Sequence, residues 1–217
     1  IAEGPKIVAE LLQLAPQQIV TVYATREWMT HQRGIPPTAE VIEISPQELE
    51  RISQLDTPHD VLAIARQFDA WAPVGKTFTL YLDTIQDPGN MGTIIRIADW
   101  FGVPSIVCSP GCADVYNPKV VQASMASLAR VNVFADTGED WLQQQDVAVY
   151  AAMLKGDSVY EIEPVSTGIL LLGNESKGVR SHYLSQSVKK ITIPRRGHAE
   201  SLNVSVAAGI ILSHLLR

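Results

Sequence analysis

The chain has 217 residues, of which 46% are hydrophobic and 18% are charged. This composition excludes an intrinsically disordered chain and suits one large domain or two small ones with a buried core. The net charge of -6 argues by itself against nucleic acid as a partner, but residues 1–75 carry 5 basic and 10 acidic side chains, whereas residues 76–217 carry 12 and 13.

The first part of the chain predicts a small α/β domain. An amphipathic pattern with Pro5 at its start predicts a helix over residues 5–14, and apolar runs predict strands over 19–23 and 41–44. Ser45 is followed by a proline, so a second helix is expected to begin at residue 46. Pro73 and Gly75 then break the pattern. We therefore predict a domain over residues 1–70, a linker over 71–77 and a second domain over 78–217.

The second part alternates short apolar strands with helical segments. The predicted strands cover residues 78–82, 105–108, 130–134, 147–151, 168–172 and 190–193. The predicted helices cover residues 91–101, 118–127, 138–145, 180–187 and 202–216. This alternation is typical of the α/β class, with a mostly parallel sheet and helices on both faces.

Three segments carry more polar residues than a scaffold needs. In residues 83–96 a strand ends in a Pro-Gly turn, and Asn90 is a candidate N-cap for the helix that contains Arg96. In residues 171–178 an apolar strand runs into Gly173, Asn174 and Glu175, and ligands of parallel sheets bind beyond such strand ends. Each segment alone is equally compatible with an ordinary cap or turn.

The third segment covers residues 193–209, where a strand ends at Pro194 and a polar loop leads to a helix rich in small residues. Ser201 is expected to start this helix, with Asn203 and Ser205 in its first turn. A capped core helix would give the same local pattern. Basic side chains accumulate nearby, and they suit either phosphate groups or a solvated surface; they are Lys177, Arg180, Lys189, Lys190, Arg195 and Arg196.

Several common sites are missing from the sequence. It contains no dinucleotide-binding or P-loop glycine pattern, no nucleophile elbow and no cluster of metal ligands. Cys108 and Cys112 cannot form a disulfide framework, so we expect free thiols in a cytoplasmic protein. No apolar run reaches the roughly 18 residues of a membrane span, and residues 1–6 do not resemble a signal peptide.

Taken in order, the three segments resemble the motifs of the SpoU or TrmH-type RNA 2'-O-ribose methyltransferases. The first motif is matched by Asn90, Gly92 and Arg96, and the second by Gly173, Asn174 and Glu175. The third, an Ile-Pro pair followed by Ser-Leu-Asn-Val-Ser, is matched by residues 193–194 and 201–205 and is the most specific. Residues 1–70 more weakly resemble the substrate-binding domain that many members carry.

This resemblance implies S-adenosylmethionine as the cofactor, no metal, a deep C-terminal trefoil knot and a homodimer formed through the knotted domain. It places the candidate catalytic residues at Arg96, Asn90, Glu175, Ser201 and Asn203. It places the cofactor-binding residues at Gly173, Asn174, Glu175, Ile193, Pro194, Ser201 and Leu202, with a further cofactor segment near residues 124–127. Because a guanidinium is a poor base, we expect Arg96 to grip a phosphate and to stabilise charge on the 2'-oxygen.

The RNA substrate implied by the resemblance is ribosomal RNA, with transfer RNA as the alternative and no membrane partner. Three other interpretations stay open: a catalytically inactive RNA-binding homologue, a knotted enzyme that methylates a base, and a plain nucleotide-binding α/β protein. Two positions depart from the family pattern. Ser176 stands where glycine is frequent, and Arg195 and Arg196 stand where an apolar residue is common.

Overall fold

The computed structural model describes residues 1–31, 34–74, 76–185 and 187–217. Gly75 of the predicted linker and Gln186 of the predicted helix over 180–187 lie outside these residues. Within the described ranges the strands form two sheets, one of four strands and one of six. The chain is therefore built as a small sheet followed by a large one.

The small sheet has the order β1-β4-β2-β3. Its strands are β1 (Ala2–Glu3), β2 (Ile19–Ala24), β3 (Glu40–Glu43) and β4 (Val61–Ala65), and its helices are α1 (Pro5–Leu14), α2 (Arg26–His31) and α3 (Pro46–Ile52). The predicted helix over 5–14 is confirmed, and Ser45 caps α3 in a capping box with Glu48. Two strands, β1 and β4, and the helix α2 were not predicted.

The large sheet has the order β10-β8-β9-β5-β6-β7, and all of its strand pairs are parallel. The strands are β5 (Phe78–Asp83), β6 (Ser105–Cys108), β7 (Asn132–Ala135), β8 (Val149–Ser158), β9 (Gly168–Gly173) and β10 (Lys189–Thr192). The predicted α/β class with a mostly parallel sheet is confirmed. Because the strands are parallel, their carboxyl ends lie along one edge, where ligands of such sheets bind.

One face of this sheet, here called the helix-covered face, packs against three helices. They are α4 (Pro88–Trp100), α5 (Pro118–Ser124) and α6 (Val204–Leu215). Alternate residues of β5, including Leu80 and Leu82, point into an apolar core shared with Ile94 of α4 and Ile211 of α6. A Cβ on Gly92 would approach the Val120 carbonyl oxygen to 2.6 Å, so this glycine allows α5 to pack closely on α4.

The opposite face, here called the turn-covered face, carries no long helix in the described residues. The helices predicted over 138–145 and 180–187 are wrong, because the structure has only 3-10 turns at Leu142–Gln144 and Ser181–Tyr183. Trp141 and Tyr183 from these turns cover Tyr81 of β5. The Trp141 backbone N–H donates to Asp136 at 3.2 Å and its indole donates to the Pro73 carbonyl at 3.0 Å, so tertiary contacts override the local helical preference.

The chain between the two sheets is held by side chains of the second part. The Tyr116 hydroxyl bonds both the backbone N–H and the carbonyl of Phe68, and the Asn132 side chain does the same for Trp71. Ala126 also packs into the core of the small sheet. The described residues contain no helix that is long and apolar enough to cross a membrane.

Candidate functional site

The candidate site lies where three polar segments converge at the carboxyl edge of the large sheet. Residues 84–87 connect β5 to α4, residues 174–180 follow β9, and residues 193–203 connect β10 to α6. β5 and β9 are neighbours, with Asp83 opposite Gly173 in the sheet register. The first two predicted motifs are therefore adjacent by sheet topology, although the residues that end the two strands are 90 positions apart in the sequence.

The start of α4 positions Asn90, although Asn90 is not its N-cap as predicted. Asp87 is the cap, because its Oδ1 accepts the Asn90 backbone N–H at 2.7 Å and Pro88 occupies the first helical position. Asn90 therefore lies in the first turn, and its side chain is free to make tertiary contacts.

The start of α6 positions Asn203 in a different way. The helix begins at Val204, not at Ser201 as expected, and Asn203 is its N-cap. The Asn203 Oδ1 accepts the backbone N–H groups of Ser205 and Val206 at 2.9 and 3.3 Å, and the Ser205 hydroxyl at 2.6 Å. This fully used oxygen fixes the amide orientation, so the Asn203 Nδ2 points away from the helix.

A directed chain of hydrogen bonds joins the three motifs. The Asn203 Nδ2 donates to the Asn90 Oδ1 at 2.8 Å, and the Asn90 Nδ2 donates to the Glu175 Oε1 at 2.7 Å. Because each amide can be oriented in only one way, Glu175 must accept at the end of the chain. Three of the predicted catalytic residues are thus brought together: Asn90, Glu175 and Asn203.

The segment that carries Glu175 is a tight loop closed on itself. Asn174 and Gly178 exchange two backbone hydrogen bonds of 3.1 and 2.8 Å, and the Asn174 Nδ2 donates to the Thr84 carbonyl at 2.8 Å. A Cβ on Gly173 would lie 2.3 Å from the Val179 nitrogen. The close approach that Gly173 permits is therefore to the returning backbone of this loop.

The remaining predicted cofactor residues line an open loop. Ile193 is half-buried, while Pro194, Ser201 and Leu202 are exposed. Among the described residues, the backbone of 194–202 makes no hydrogen bond to another backbone group. This loop consequently offers N–H and C=O groups beside the apolar side chains of Ile193 and Leu202.

Two predicted positions lie away from this convergence. Arg96 is exposed on α4, and it forms no hydrogen bond or ion pair with any residue that the structure describes. Ser124 and Ser127 are buried, and the Ser127 hydroxyl donates to Asp99 near the end of α4 at 2.7 Å. Asp99 lies near the end of α4, whereas Asn90 lies in its first turn, so residues 124–127 sit apart from the three motifs and their part in holding the cofactor stays a prediction.

Sequence reasoning also missed a buried polar cluster beneath the site. Asp83, the last residue of β5, is 0% exposed and bonds Arg180. Burial opposes the charge on Arg180, but hydrogen bonds with Asp83 and Glu139 outweigh it and raise the pKa of the guanidinium. The cluster of basic residues had suggested Arg180 as a possible phosphate contact. The structure instead shows its guanidinium engaged by Asp83 and Glu139. The sequence feature that could have indicated this pair is Asp83, an aspartate at the end of an apolar strand.

The other members of this cluster are two tyrosines on the turn-covered face. The Tyr81 hydroxyl donates to Asp136 at 2.9 Å and lies 2.8 Å from the Tyr183 hydroxyl. Burial, and then these hydrogen bonds, raise the pKa of Tyr81 far above its ordinary value. Burial also raises the pKa of Tyr183 to about 12, against the opposing effects of Tyr81 and Arg180.

No group of three or more metal-ligating side chains occurs in the described parts of the chain. Both cysteines are free thiols, as predicted. The site is thus a set of neutral amides, one carboxylate and an open backbone loop. Together with the parallel sheet, it defines an α/β protein with a polar ligand site at the carboxyl edge.

Comparison with known proteins identifies the family. Residues 77–213 match the SpoU rRNA Methylase family and residues 1–63 match the MRM3-like substrate binding domain. The chain belongs to the SpoU rRNA methylase family. It is 32% identical, over 99% of its length and 87% of the relative's, to the 23S rRNA (guanosine(2553)-2'-O)-methyltransferase RlmP of Bacillus subtilis.

Two solved structures are similar over almost the whole chain. A putative RNA methyltransferase of the TrmH family from Porphyromonas gingivalis has a TM-score of 0.87 at 37% identity, covering 99% of this chain and 88% of that one. The SpoU methyltransferase AviRb from Streptomyces viridochromogenes, solved with the cofactor AdoMet, has a TM-score of 0.80 at 25% identity and the same coverage. The predicted family is confirmed.

Proposed function

We propose that this protein is an RNA 2'-O-ribose methyltransferase that uses S-adenosylmethionine, with ribosomal RNA as its substrate. The observation that carries the proposal is the hydrogen-bonded chain from Asn203 through Asn90 to Glu175, which unites the three family motifs. The RlmP relative is named for methylation of a 23S rRNA guanosine at the 2'-oxygen, and AviRb was solved with AdoMet. An intact site of this kind argues against an inactive RNA-binding homologue.

The residues at the carboxyl edge fit an adenosine-containing cofactor. Ile193 and Leu202 offer apolar surface on either side of a loop, and the backbone of 194–202 has unpaired donors and acceptors. An adenine ring needs this combination of apolar contact and polar edges. Ile193, Pro194, Ser201 and Leu202 would hold the nucleoside, and the loop of Gly173, Asn174 and Glu175 would close beside it. The cofactor supplies a methyl group on a sulfonium, which is a good leaving group.

The chain's own residues would then place and activate the ribose hydroxyl. The Asn90 and Asn203 amides each use one Nδ2 hydrogen inside the site, so each keeps a second hydrogen for the substrate. The Glu175 Oε1 is bound by Asn90, which leaves Oε2 to accept the hydrogen bond, and then the proton, of a 2'-hydroxyl as the 2'-oxygen takes the methyl group. Amide donors next to a carboxylate stabilise the developing oxyanion and orient its attack.

Arg96 would contribute from the surface of α4. It shares a helical stripe with Trp100, which is 84% exposed, and α4 packs beside α6, where Val206 is 50% exposed. An exposed apolar stripe of this kind supports a homodimer formed through these two helices, with Arg96 at the subunit boundary and free to grip an RNA phosphate. Sedimentation of the purified chain tests this arrangement, and a stable monomer at micromolar concentration would contradict it.

The proposal extends to topology and to the first domain. β10 lies beyond β8 in the sheet, and α6 returns to pack on α4 and β9, which supports a trefoil knot made by the C-terminal segment. Residues 1–70 would bind the substrate RNA, with 71–77 as the linker, in line with the matched substrate-binding family. The side chains that hold Phe68 and Trp71 would keep this domain in a fixed orientation.

The decisive experiment measures methyl transfer from labelled S-adenosylmethionine to ribosomal and transfer RNA that lack the modification, followed by digestion to nucleosides. The wild type is expected to yield a 2'-O-methyl nucleoside in ribosomal RNA. Glu175→Gln keeps the size of the side chain and removes its charge, so kcat should fall by about 100-fold or more.

The matched control is Glu163→Gln, an exposed glutamate in the loop before β9. This surface change should leave kcat within about twofold of the wild type. Label on a base, or transfer to transfer RNA alone, would contradict the proposed reaction or substrate. Glu175→Gln with full activity would remove Glu175 from the site.

A further inference from the structure

An ion pair between a buried aspartate and a partly exposed arginine closes the loop that carries Glu175. Asp83 is completely buried, its Oδ1 accepts the Arg180 Nε–H at 2.6 Å, and its Oδ2 accepts the Arg180 backbone N–H at 2.7 Å. The Thr84 hydroxyl donates a third hydrogen bond to Oδ1 at 2.9 Å. One carboxylate thus holds both the main chain and the side chain of Arg180.

The same aspartate defines where the loop begins and where it ends. Gly173, where the loop begins, lies opposite Asp83 in the register of β5 and β9. Arg180, where the loop ends, is hydrogen-bonded to the same Asp83. Between these points the chain turns back through the Asn174–Gly178 bridge. Glu175 lies at the tip of the loop and reaches Asn90 on the other side.

The Arg180 head group is fixed from further directions. Its Nη2 donates to the Glu139 Oε1 at 2.5 Å and to the Tyr183 hydroxyl at 3.1 Å, and its Cζ lies 5.1 Å from the centre of the Tyr183 ring. Only a planar guanidinium can serve these partners together, because a lysine ammonium has one nitrogen. Burial of the Asp83 carboxylate costs solvation energy that its attraction to Arg180 hardly returns, so stability alone is a weak reason for the pair.

We propose that the Asp83–Arg180 pair is a positioning pair for the active site, which holds the loop of residues 173–180 so that the Glu175 carboxylate meets Asn90. Neither residue touches the substrate. The inference rests on the proposed methyltransfer function for its kinetic consequence, whereas the effect on the geometry of Asn90 is independent of that function.

The kinetic test replaces Arg180 by lysine. This change keeps the positive charge, but a single ammonium nitrogen cannot reach both Asp83 and Glu139 as the guanidinium does. We expect kcat to fall about 10- to 100-fold, as it does when groups that orient a reactive residue are lost, with the KM for RNA little changed. The control is Arg130→Lys, because the Arg130 side chain is also 36% exposed and also pairs with an aspartate, Asp99, away from the site. It should lose comparable thermal stability and keep its kcat.

A double-mutant cycle separates positioning from general stability. If Arg180 acts through Glu175, then Arg180→Lys will lower kcat much less in a Glu175→Gln background than in the wild type. If the fold-loss of kcat in the double variant equals the product of the fold-losses in the two single variants, the two residues act independently and the proposal is overturned. Tyr183→Phe, which removes one contact to the guanidinium, serves if Arg180→Lys does not fold, and a smaller loss of kcat with the same coupling to Glu175 is expected.

The geometric test needs no activity. The Asn90 side-chain amide donates to Glu175, so its NMR resonances report on the position of the loop. Arg180→Lys should move these resonances towards the values seen in Glu175→Ala, and Arg130→Lys should leave them in place. Unmoved Asn90 resonances in folded Arg180→Lys would overturn the positioning role. A wild type that transfers no methyl group would instead refute the proposed function, and the resonances would still decide the positioning.

Discussion

The two faces of the six-stranded sheet are covered by different means. On the helix-covered face, Leu80 and Leu82 of β5 pack into an apolar core formed with α4, α5 and α6. On the turn-covered face, Tyr81 and Asp83 of the same strand enter a polar network under two short 3-10 turns. Successive residues of one strand therefore serve opposite purposes, because strand side chains alternate between the faces.

The two faces therefore make different contributions: the helix-covered face mainly stabilises the fold, and the turn-covered face mainly positions the chain. Close-packed helices gain stability from burial of apolar surface, whereas a cluster of hydrogen bonds gains little net stability and specifies one arrangement of the chain. The loop that carries Glu175 is anchored on the turn-covered side by Asp83, while Asn90 lies in the first turn of α4 and Asn203 caps α6 on the other side. The candidate site thus joins two layers that are held together in different ways.

The largest expected effect is a loss of packing on the helix-covered face. Leu80→Ala should lower the free energy of unfolding by about 2–5 kcal/mol, because the rigid helices cannot close the cavity. Leu171 on β9 is the matched position on the turn-covered face, since it is also 0% exposed. Leu171→Ala should cost clearly less than Leu80→Ala in urea denaturation, because the turns can relax into the space. Equal losses for the two variants would break the comparison.

A smaller effect is expected when the polar network loses one hydroxyl. Among the described residues, Tyr81→Phe leaves the Asp136 Oδ2 with only the Trp141 N–H as a donor, and it removes the contact with Tyr183, so stability should fall by about 1–3 kcal/mol. Tyr150 provides the control, because it is buried in the core of the helix-covered face and its hydroxyl bonds no other described residue. Tyr150→Phe should stay within about 0.5 kcal/mol of the wild type in the same urea titration. A loss as large as that of Tyr81→Phe would contradict the comparison, because it would show that removing a hydroxyl costs the same with and without hydrogen-bond partners.

Much of the fold follows from the sequence because the large sheet is regular. Its buried parallel strands appear as apolar runs, and β5, β6 and β9 begin or end within a residue of their predicted limits. The turn-covered face could not be predicted in this way. Residues 138–145 contain helix-forming side chains, yet bonds from Trp141 to Asp136 and Pro73 hold a single 3-10 turn. Asp136 and Pro73 both lie outside the segment, so the periodicity of residues 138–145 does not report these contacts.

The candidate site shows the same division. The resemblance to the family motifs placed Asn90, Glu175 and Asn203 in the site, and the structure brings them together. The sequence could not show that Asp87 caps α4 in place of Asn90, since both residues are good caps three positions apart. Nor could it show that Arg180 is occupied by Asp83, because that contact depends on the pairing of β5 with β9.

The smallest expected effect is a pH dependence confined to the turn-covered face. Burial raises the pKa of Tyr183 to about 12, compared with about 10 for an unperturbed tyrosine. A raised pKa in the folded state means that the neutral phenol is favoured there, so its contribution is complete below about pH 10 and is lost between about pH 10 and 12. Tyr183→Phe has no proton to release, so its urea-denaturation stability should fall less steeply than that of the wild type across this window. Because lysines titrate in both proteins, the informative quantity is the difference between the two curves. A difference that stays constant from pH 9 to 12 would mean that the Tyr183 phenol ionises as readily in the folded protein as in the unfolded chain, and that the network around Arg180 does not exclude water from it.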